Sequence, residues 1–193
     1  MKLAIDNGHL YFTITDMDSL HDGRPIILFL SGGPGLSYTN YNKALKPLEK
    51  IAHLVYHDPR GCGQSSDFPT ETYTMENNID DAEKLRAHLN LKKIIVFGFS
   101  YGAMLAQGYA IKYPAPVSHL ILAAGATSYQ FIKKAKDNLR TRGTKQQIDL
   151  CEKILWPGNF SHPDDLYELL HVIFPLYSCK VAAKTMPSPF AEK

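Results

Sequence analysis

The residues best equipped for chemistry are Gly98-Phe99-Ser100-Tyr101-Gly102, a serine with a glycine two positions away on either side. The quintet ends the apolar run that starts at Ile94 and opens a segment, Tyr101 to Tyr113, that is apolar almost all round. The first pattern suits a strand buried on both faces, the second a helix buried in a domain centre. On so tight a strand-to-helix turn the Ser100 hydroxyl is pushed out at the carboxyl edge of a sheet, and a Cβ at Gly98 or Gly102 would collide with the neighbouring element. The Tyr101 amide then opens the helix, where free N–H groups and the helix dipole favour a developing oxyanion. The chemistry on offer is attack by a hydroxyl on a carbonyl carbon; the bland alternative is an idle serine in a tight turn.

Two further motifs follow apolar runs. Ser31-Gly32-Gly33-Pro34-Gly35 comes straight after Ile26 to Leu30. Three glycines around a proline make a stiff loop whose backbone can approach a ligand and aim an amide at a carbonyl oxygen. Taken alone it is a plain turn, and no Lys-Ser/Thr pair follows at the spacing of a phosphate-binding loop. Asp58-Pro59-Arg60-Gly61-Cys62-Gly63-Gln64-Ser65 follows His53 to His57 and reads as a turn that Asp58 and Arg60 pin with hydrogen bonds. Cys62 is read there as a packed or pocket-lining thiol, not a nucleophile.

The elements that must position these motifs alternate. Strands are expected at Leu10 to Thr15, Ile26 to Leu30, His53 to His57, Ile94 to Gly98 and Val117 to Ala124. Helices are expected at Asn40 to Lys50, Asn78 to Leu89 and Tyr101 to Tyr113. Strands separated by helices pair in parallel with helices on both faces, so the class is α/β with a mostly parallel sheet. After Gly125 only helices are expected: Tyr129 to Arg140, Gln146 to Leu155, and a third capped by Ser161, with Pro163 in its first turn, running to about Phe174. The domain reading is a core at 1–125 and a helical cap segment at 126–193, laid over the loops of the sheet.

Composition narrows the function classes. The 193 residues are 45% hydrophobic and 21% charged, with 21 Lys and Arg against 19 Asp and Glu for a net charge of +2. That balance is globular and gives no case for a nucleic-acid or membrane-surface partner. The basic run Lys133, Lys134, Lys136, Arg140, Arg142, Lys145 is read as a solvated helix face. The uncharged stretch Ile94 to Ile111 is interrupted by Gly98, Ser100, Gly102, Gln107 and Gly108 and falls short of the ~20 apolar residues of a membrane span. Cys62, Cys151 and Cys179 are few, odd in number and far apart, which fits a reducing compartment, and the N-terminus lacks the apolar core of a signal peptide. A cytoplasmic location is expected, with no cofactor and no metal; His53 and His57 share a strand face but lack a third ligand.

Taken in order, Ser-Gly-Gly-Pro-Gly, Asp-Pro-Arg-Gly-Cys-Gly-Gln-Ser and Gly-Phe-Ser-Tyr-Gly resemble the motifs of α/β-hydrolases of the proline iminopeptidase group, over about the first 125 residues. The resemblance implies a serine hydrolase that releases an N-terminal residue, typically proline, from small peptides. It makes Ser100 the nucleophile, gives the oxyanion hole to the amides of Gly33 and Tyr101, and lines the substrate site with Ser31, Gly32, Pro34 and Gly35. The family loop opens on histidine where this chain has Ser31, which keeps esters, lactones and other amides open as substrates. In this fold the acid and the histidine base follow the serine on later strands. His119 and His171 are read as structural, His162 stands at a helix start, and Asp137, Asp149, Asp164 and Asp165 lie in the helical segment, so neither triad partner has a match. Glu152 and Glu168 lie where the family binds a substrate ammonium, but read by default as solvent-facing charges. The expectation is therefore the N-terminal part of a larger hydrolase with impaired catalysis, prone to self-association or to complementation by a C-terminal fragment. A non-catalytic remnant or interaction module is the alternative from another class.

Overall fold

The computed structural model describes residues 1–177. Its sheet has six strands, β1 (Lys2–Ile5), β2 (Gly8–Ile14), β3 (Ile26–Leu30), β4 (His53–His57), β5 (Ile94–Phe99) and β6 (Val117–Ala123), in the order β1-β2-β4-β3-β5-β6. Strands β3 to β6 are parallel, while β1 with β2 and β2 with β4 are antiparallel. The expected α/β class and mostly parallel sheet hold; β1 and the antiparallel start are additions. Asp6 and Asn7 join Ile5 to its partner Gly8, and Asp6 takes φ 45°. A two-residue link of this kind closes only an antiparallel hairpin.

Apolar runs at β3, β4 and β5 arise because both sheet faces are covered. Leu28, Leu30, Val55 and Val96 face one way, into a core with Ile79, Ala82 and Leu85 of α2 (Met75–His88) and Leu105, Ala106 and Tyr109 of α3 (Tyr101–Lys112). The alternate residues Ile27, Phe29, Leu54 and Tyr56 face the other way, with Tyr38, Ala52, Leu45 and Leu48. Fully burying each Leu, Ile, Val or Phe among them stabilises the fold by about 1.5–3 kcal/mol. Helix α2 starts at Met75, ahead of the expected Asn78, because the Thr74 side chain accepts the Asn77 N–H and caps it. The expected helix Asn40 to Lys50 is instead a 3₁₀ turn at Tyr38–Asn40, a single turn α1 (Asn42–Leu45) and a second 3₁₀ turn at Lys46–Lys50. Pro47 has no N–H to donate, and regular helix stops before it.

The chain divides into two compact units, Met1–Thr127 and Ser128–Lys193. In the second lie α4 (Gln130–Arg142), α5 (Lys145–Leu150), a π turn at Cys151–Leu155 and α6 (Pro163–Ile173), and no strand occurs there among the described residues. Leu139, Cys151, Leu169 and Ile173 form its own small core. Ser161 is not the cap of α6. The cap is His162, whose Nδ1 accepts the Asp164 N–H, while the Asp165 carboxylate accepts from the backbone N–H groups of Ser161 and His162 and from the Ser161 hydroxyl. Glu152 and Glu168 are exposed, and Glu152 lies 3.7 Å from Arg140. Cys179 lies outside the described residues.

Candidate active site

Ser100 stands between β5 and α3 with φ 55° and ψ −118°. A non-glycine residue in such a conformation costs on the order of 1–3 kcal/mol and persists only where its surroundings hold it. Two hydrogen bonds do so: the Ser100 N–H donates to the Ala123 carbonyl at 2.8 Å, and the Ala103 N–H donates to the Ser100 carbonyl at 3.0 Å. The flanking glycines are required by space. A Cβ on Gly98 would lie 2.1 Å from the Gly102 carbonyl oxygen, and one on Gly102 would lie 2.0 Å from the Leu30 carbonyl oxygen. The turn is thus pressed against the end of β3, from which the glycine-rich loop departs.

That loop comes directly over the serine. A Cβ on Gly32 would lie 2.6 Å from the Tyr41 hydroxyl, 3.1 Å from the Phe99 carbonyl oxygen and 3.2 Å from Ser100 Cβ. Gly33 has φ 129° and Gly35 φ 92°, conformations natural only to glycine, and the Gly33–Pro34 peptide is cis. Gly33, Pro34 and Gly35 are exposed, whereas Ser31 and Gly32 are buried. The structure brings Gly32, Ser100 and Tyr101 together at the carboxyl ends of β3 and β5, with the Gly33 amide next in the loop. Ser31 differs from the rest: its hydroxyl is buried, with no hydrogen-bond partner among the described residues.

Tyr41 has no motif to announce it. Its phenol oxygen lies 2.6 Å from where a Cβ on Gly32 would stand, and its ring centroid lies 5.4 Å from both Phe29 and Phe99. Burial raises its pKa, and the nearby Gly32 backbone works against that rise. Only the fold brings position 41 back to position 32.

The third motif is pinned as its residue types suggest. Asp58 Oδ1 accepts from the Ser37 hydroxyl at 2.6 Å and the Tyr38 N–H at 3.2 Å, and its Oδ2 accepts from the Gln64 N–H at 2.9 Å. A Cβ on Gly63, at φ 53°, would lie 2.2 Å from that same Oδ2. Arg60 grips Asp81 of α2 through two hydrogen bonds of 2.8 Å, beneath the ring of Phe68 at 4.9 Å. Burial pushes the Cys62 thiol up to about 11, with Asp58 adding to the rise, so the group is a packed thiol.

The histidines of the first unit serve elsewhere. His9 Nδ1 meets the Ser66 hydroxyl at 2.8 Å and its Nε2 the Gln64 carbonyl at 3.1 Å, while His53 Nε2 lies 3.0 Å from Asp22. His57 is buried in β4, and burial lowers its pKa against the opposing charges of Asp81 and Asp58. Within residues 1–127 no histidine is hydrogen-bonded to Ser100. His119 lies exposed on β6. No helix among the described residues is long and apolar enough to cross a membrane.

A six-stranded, mostly parallel sheet with a strained serine between a strand and a buried helix defines an α/β hydrolase, and residues 25–144 match the family described as the alpha/beta hydrolase fold. The chain belongs to that family. Among its relatives, the proline iminopeptidase PfmaB of Pestalotiopsis fici is 36% identical over 162 residues, 81% of this chain and 57% of that protein. A proline iminopeptidase of Thermoplasma volcanium is 29% identical over 164 residues, 84% of this chain and 54% of that protein. The chain spans about half the length of the curated relatives it matches. In fold it is similar to the proline iminopeptidase of Mycobacterium smegmatis, with a TM-score of 0.73 and 22% identity over 99% of this chain and 64% of that one.

Proposed function

We propose that this chain carries the nucleophile half of a serine hydrolase site that takes an N-terminal prolyl residue from small peptides. Ser100 is the nucleophile, the amides of Gly33 and Tyr101 receive the oxyanion, and Gly32, Pro34 and Gly35 form the wall against which the substrate lies, backed by Ser31. The observation that carries this reading is the positive φ of Ser100 between two glycines that have no room for a Cβ, next to a second glycine loop. A strained turn that holds a serine hydroxyl at the carboxyl edge of the sheet is what attack on a carbonyl would require. The helical segment 126–193 is the family's cap segment in this reading, and the compartment is the cytoplasm. Esters and other amides are the second reading, favoured by Ser31 in place of the histidine that opens the proline iminopeptidase loop.

The absence of a histidine partner within residues 1–127 sets the expected rate. A serine hydroxyl without a base is a poor nucleophile near pH 7. Loss of the base in a comparable triad lowers turnover on the order of a millionfold, with roughly 10³–10⁴ over water left to oxyanion stabilisation and binding. The test compares the wild-type chain with Ser100→Ala on a proline arylamide and a short ester, and titrates both with a serine-reactive phosphonate. Barely measurable turnover is expected in both, with slow labelling of the wild type alone. Equal labelling of the two proteins sinks the nucleophile assignment. Robust turnover that vanishes in Ser100→Ala keeps it and means that the base comes from outside residues 1–127.

A further inference from the structure

Gly32 is denied a side chain by two groups that meet over it. A Cβ there would stand 2.6 Å from the Tyr41 phenol oxygen and 3.2 Å from Ser100 Cβ. The amides assigned above to the oxyanion belong to the next residue on each side, Gly33 after Gly32 and Tyr101 after Ser100. The phenol oxygen thus reaches the same gap as the serine, flanked by the residues that carry both amides. It is near enough for one oxygen atom, bonded through Ser100 Oγ, to lie within hydrogen-bond reach of it.

Packing alone does not ask for a hydroxyl at position 41. The ring is tilted by 53° against Phe29 and 52° against Phe99, contacts that a phenylalanine would make equally well. Only the hydroxyl reaches Gly32. The backbone delivers it firmly: the Tyr41 N–H donates to the Tyr38 carbonyl at 2.9 Å, and the Tyr41 carbonyl accepts the Leu45 N–H at 3.1 Å. Asp58 holds Ser37 and Tyr38 at the start of the same turn. All of these groups lie within the first compact unit. Burial raises the Tyr41 pKa, so near pH 7 the oxygen keeps its proton and is a donor, not a base.

We infer that the Tyr41 hydroxyl is a third oxyanion donor, acting beside the Gly33 and Tyr101 amides on the charge that develops when Ser100 attacks an acyl carbon. The inference rests on the reading of Ser100 as the nucleophile. As Ser100 Oγ bonds to the carbonyl carbon, the C=O π pair moves onto the oxygen, and the serine proton passes to water or to a base outside residues 1–127. The Tyr41 proton stays on the phenol and is shared in a hydrogen bond with the new oxyanion. Such a donor serves a charge that exists only after attack, so it acts on rate and hardly on binding.

The test uses the full chain and the diphenyl phosphonate analogue of proline. Ser100 Oγ bonds to phosphorus, phenoxide leaves, and the phosphoryl oxygen gains charge on the way. Labelling followed by intact mass against probe concentration gives a maximal rate and a half-saturating concentration. Removing one oxyanion donor costs on the order of 10²–10³ in a complete site, and in Tyr41→Phe the maximal rate is expected to fall at least tenfold with the half-saturating concentration unchanged. Tyr41→3-fluorotyrosine keeps ring and hydroxyl but is a stronger donor, and is expected to raise the maximal rate in mildly acidic buffer, where it stays protonated; it carries the test if Tyr41→Phe does not fold. An unchanged maximal rate in Tyr41→Phe overturns the inference while leaving Ser100 the nucleophile, as does a loss confined to the half-saturating concentration, which marks a loosened loop. A fluorinated variant no faster than wild type overturns it as well. A wild type whose Ser100 takes no label overturns the nucleophile reading, and this inference with it.

Discussion

The pair Arg60–Asp81 ties the loop after β4 to helix α2, and its removal has a calculable consequence. Both side chains are 2% exposed and meet through two bonds of 2.8 Å. Asp81→Ala leaves the guanidinium buried with Asp6 alone, at 3.4 Å from a side chain that is 53% exposed. Breaking a buried pair from one side costs about 3–5 kcal/mol, because the remaining charge stays out of water. Against a domain stability of roughly 5–15 kcal/mol, that is about a fifth or more of the whole. The double replacement Arg60→Met, Asp81→Leu removes both charges and is expected to recover all but ~1 kcal/mol, since paired ions and apolar groups of similar size come out nearly even. Asp6→Ala, which removes only the exposed partner, should cost less than about 1 kcal/mol. Urea unfolding followed by circular dichroism reads all three, with the midpoint and slope fitted separately. A cost below 1 kcal/mol for Asp81→Ala, or a double variant worse than the single, refutes the reasoning.

Three further outcomes are expected. Gly102→Ala sets a methyl 2.0 Å from the Leu30 carbonyl oxygen, so the turn must move by more than an ångström, and phosphonate labelling of Ser100 should fall on the order of a hundredfold even where the variant still melts cooperatively. His57 is held neutral by burial, so its folded pKa lies below its unfolded value of 6.5 and the unfolded chain binds the extra proton. Stability should therefore be unaffected by this group well above pH 6.5 and decline as the pH falls through that value, and His57→Phe should flatten that decline in denaturation curves. With its thiol pushed up to about 11, Cys62 should alkylate at pH 8 roughly a hundredfold more slowly than an ordinary cysteine, as mass spectrometry of its peptide will show.

Much of the fold is legible in the sequence because burial on both faces erases alternation. Strands β3, β4 and β5 are short apolar runs, and Ser100 was identifiable because glycines at 98 and 102 leave few other geometries. Strand β1 was not, since Leu3 and Ile5 are its only buried residues, although the Asp6-Asn7 turn before Gly8 is a hairpin signal that could have revealed it. Hydroxyl residues favour the cap position, so the sequence points to Ser161 for α6, yet the Asp165 carboxylate binds both Ser161 and His162 and moves the cap one residue on. In the candidate site, Arg60 was readable as a pin, but its partner Asp81 was not. Asp81 sits mid-helix among other acids, and no local spacing tells a buried carboxylate from its exposed neighbours.

Asp58 has a mechanical consequence. One carboxylate holds Ser37 and Tyr38 with one oxygen and Gln64 with the other, so the loop leaving β3 and the loop leaving β4 share a rivet. Its far end depends on glycine at position 63, where a Cβ would lie 2.2 Å from the carboxylate oxygen and push it off Gln64. A ligand that shifts the loop at Ser37 must therefore drag the turn at Gln64 with it, or break a charge-assisted bond. A probe attached near Gln64 will then report what happens at Ser37.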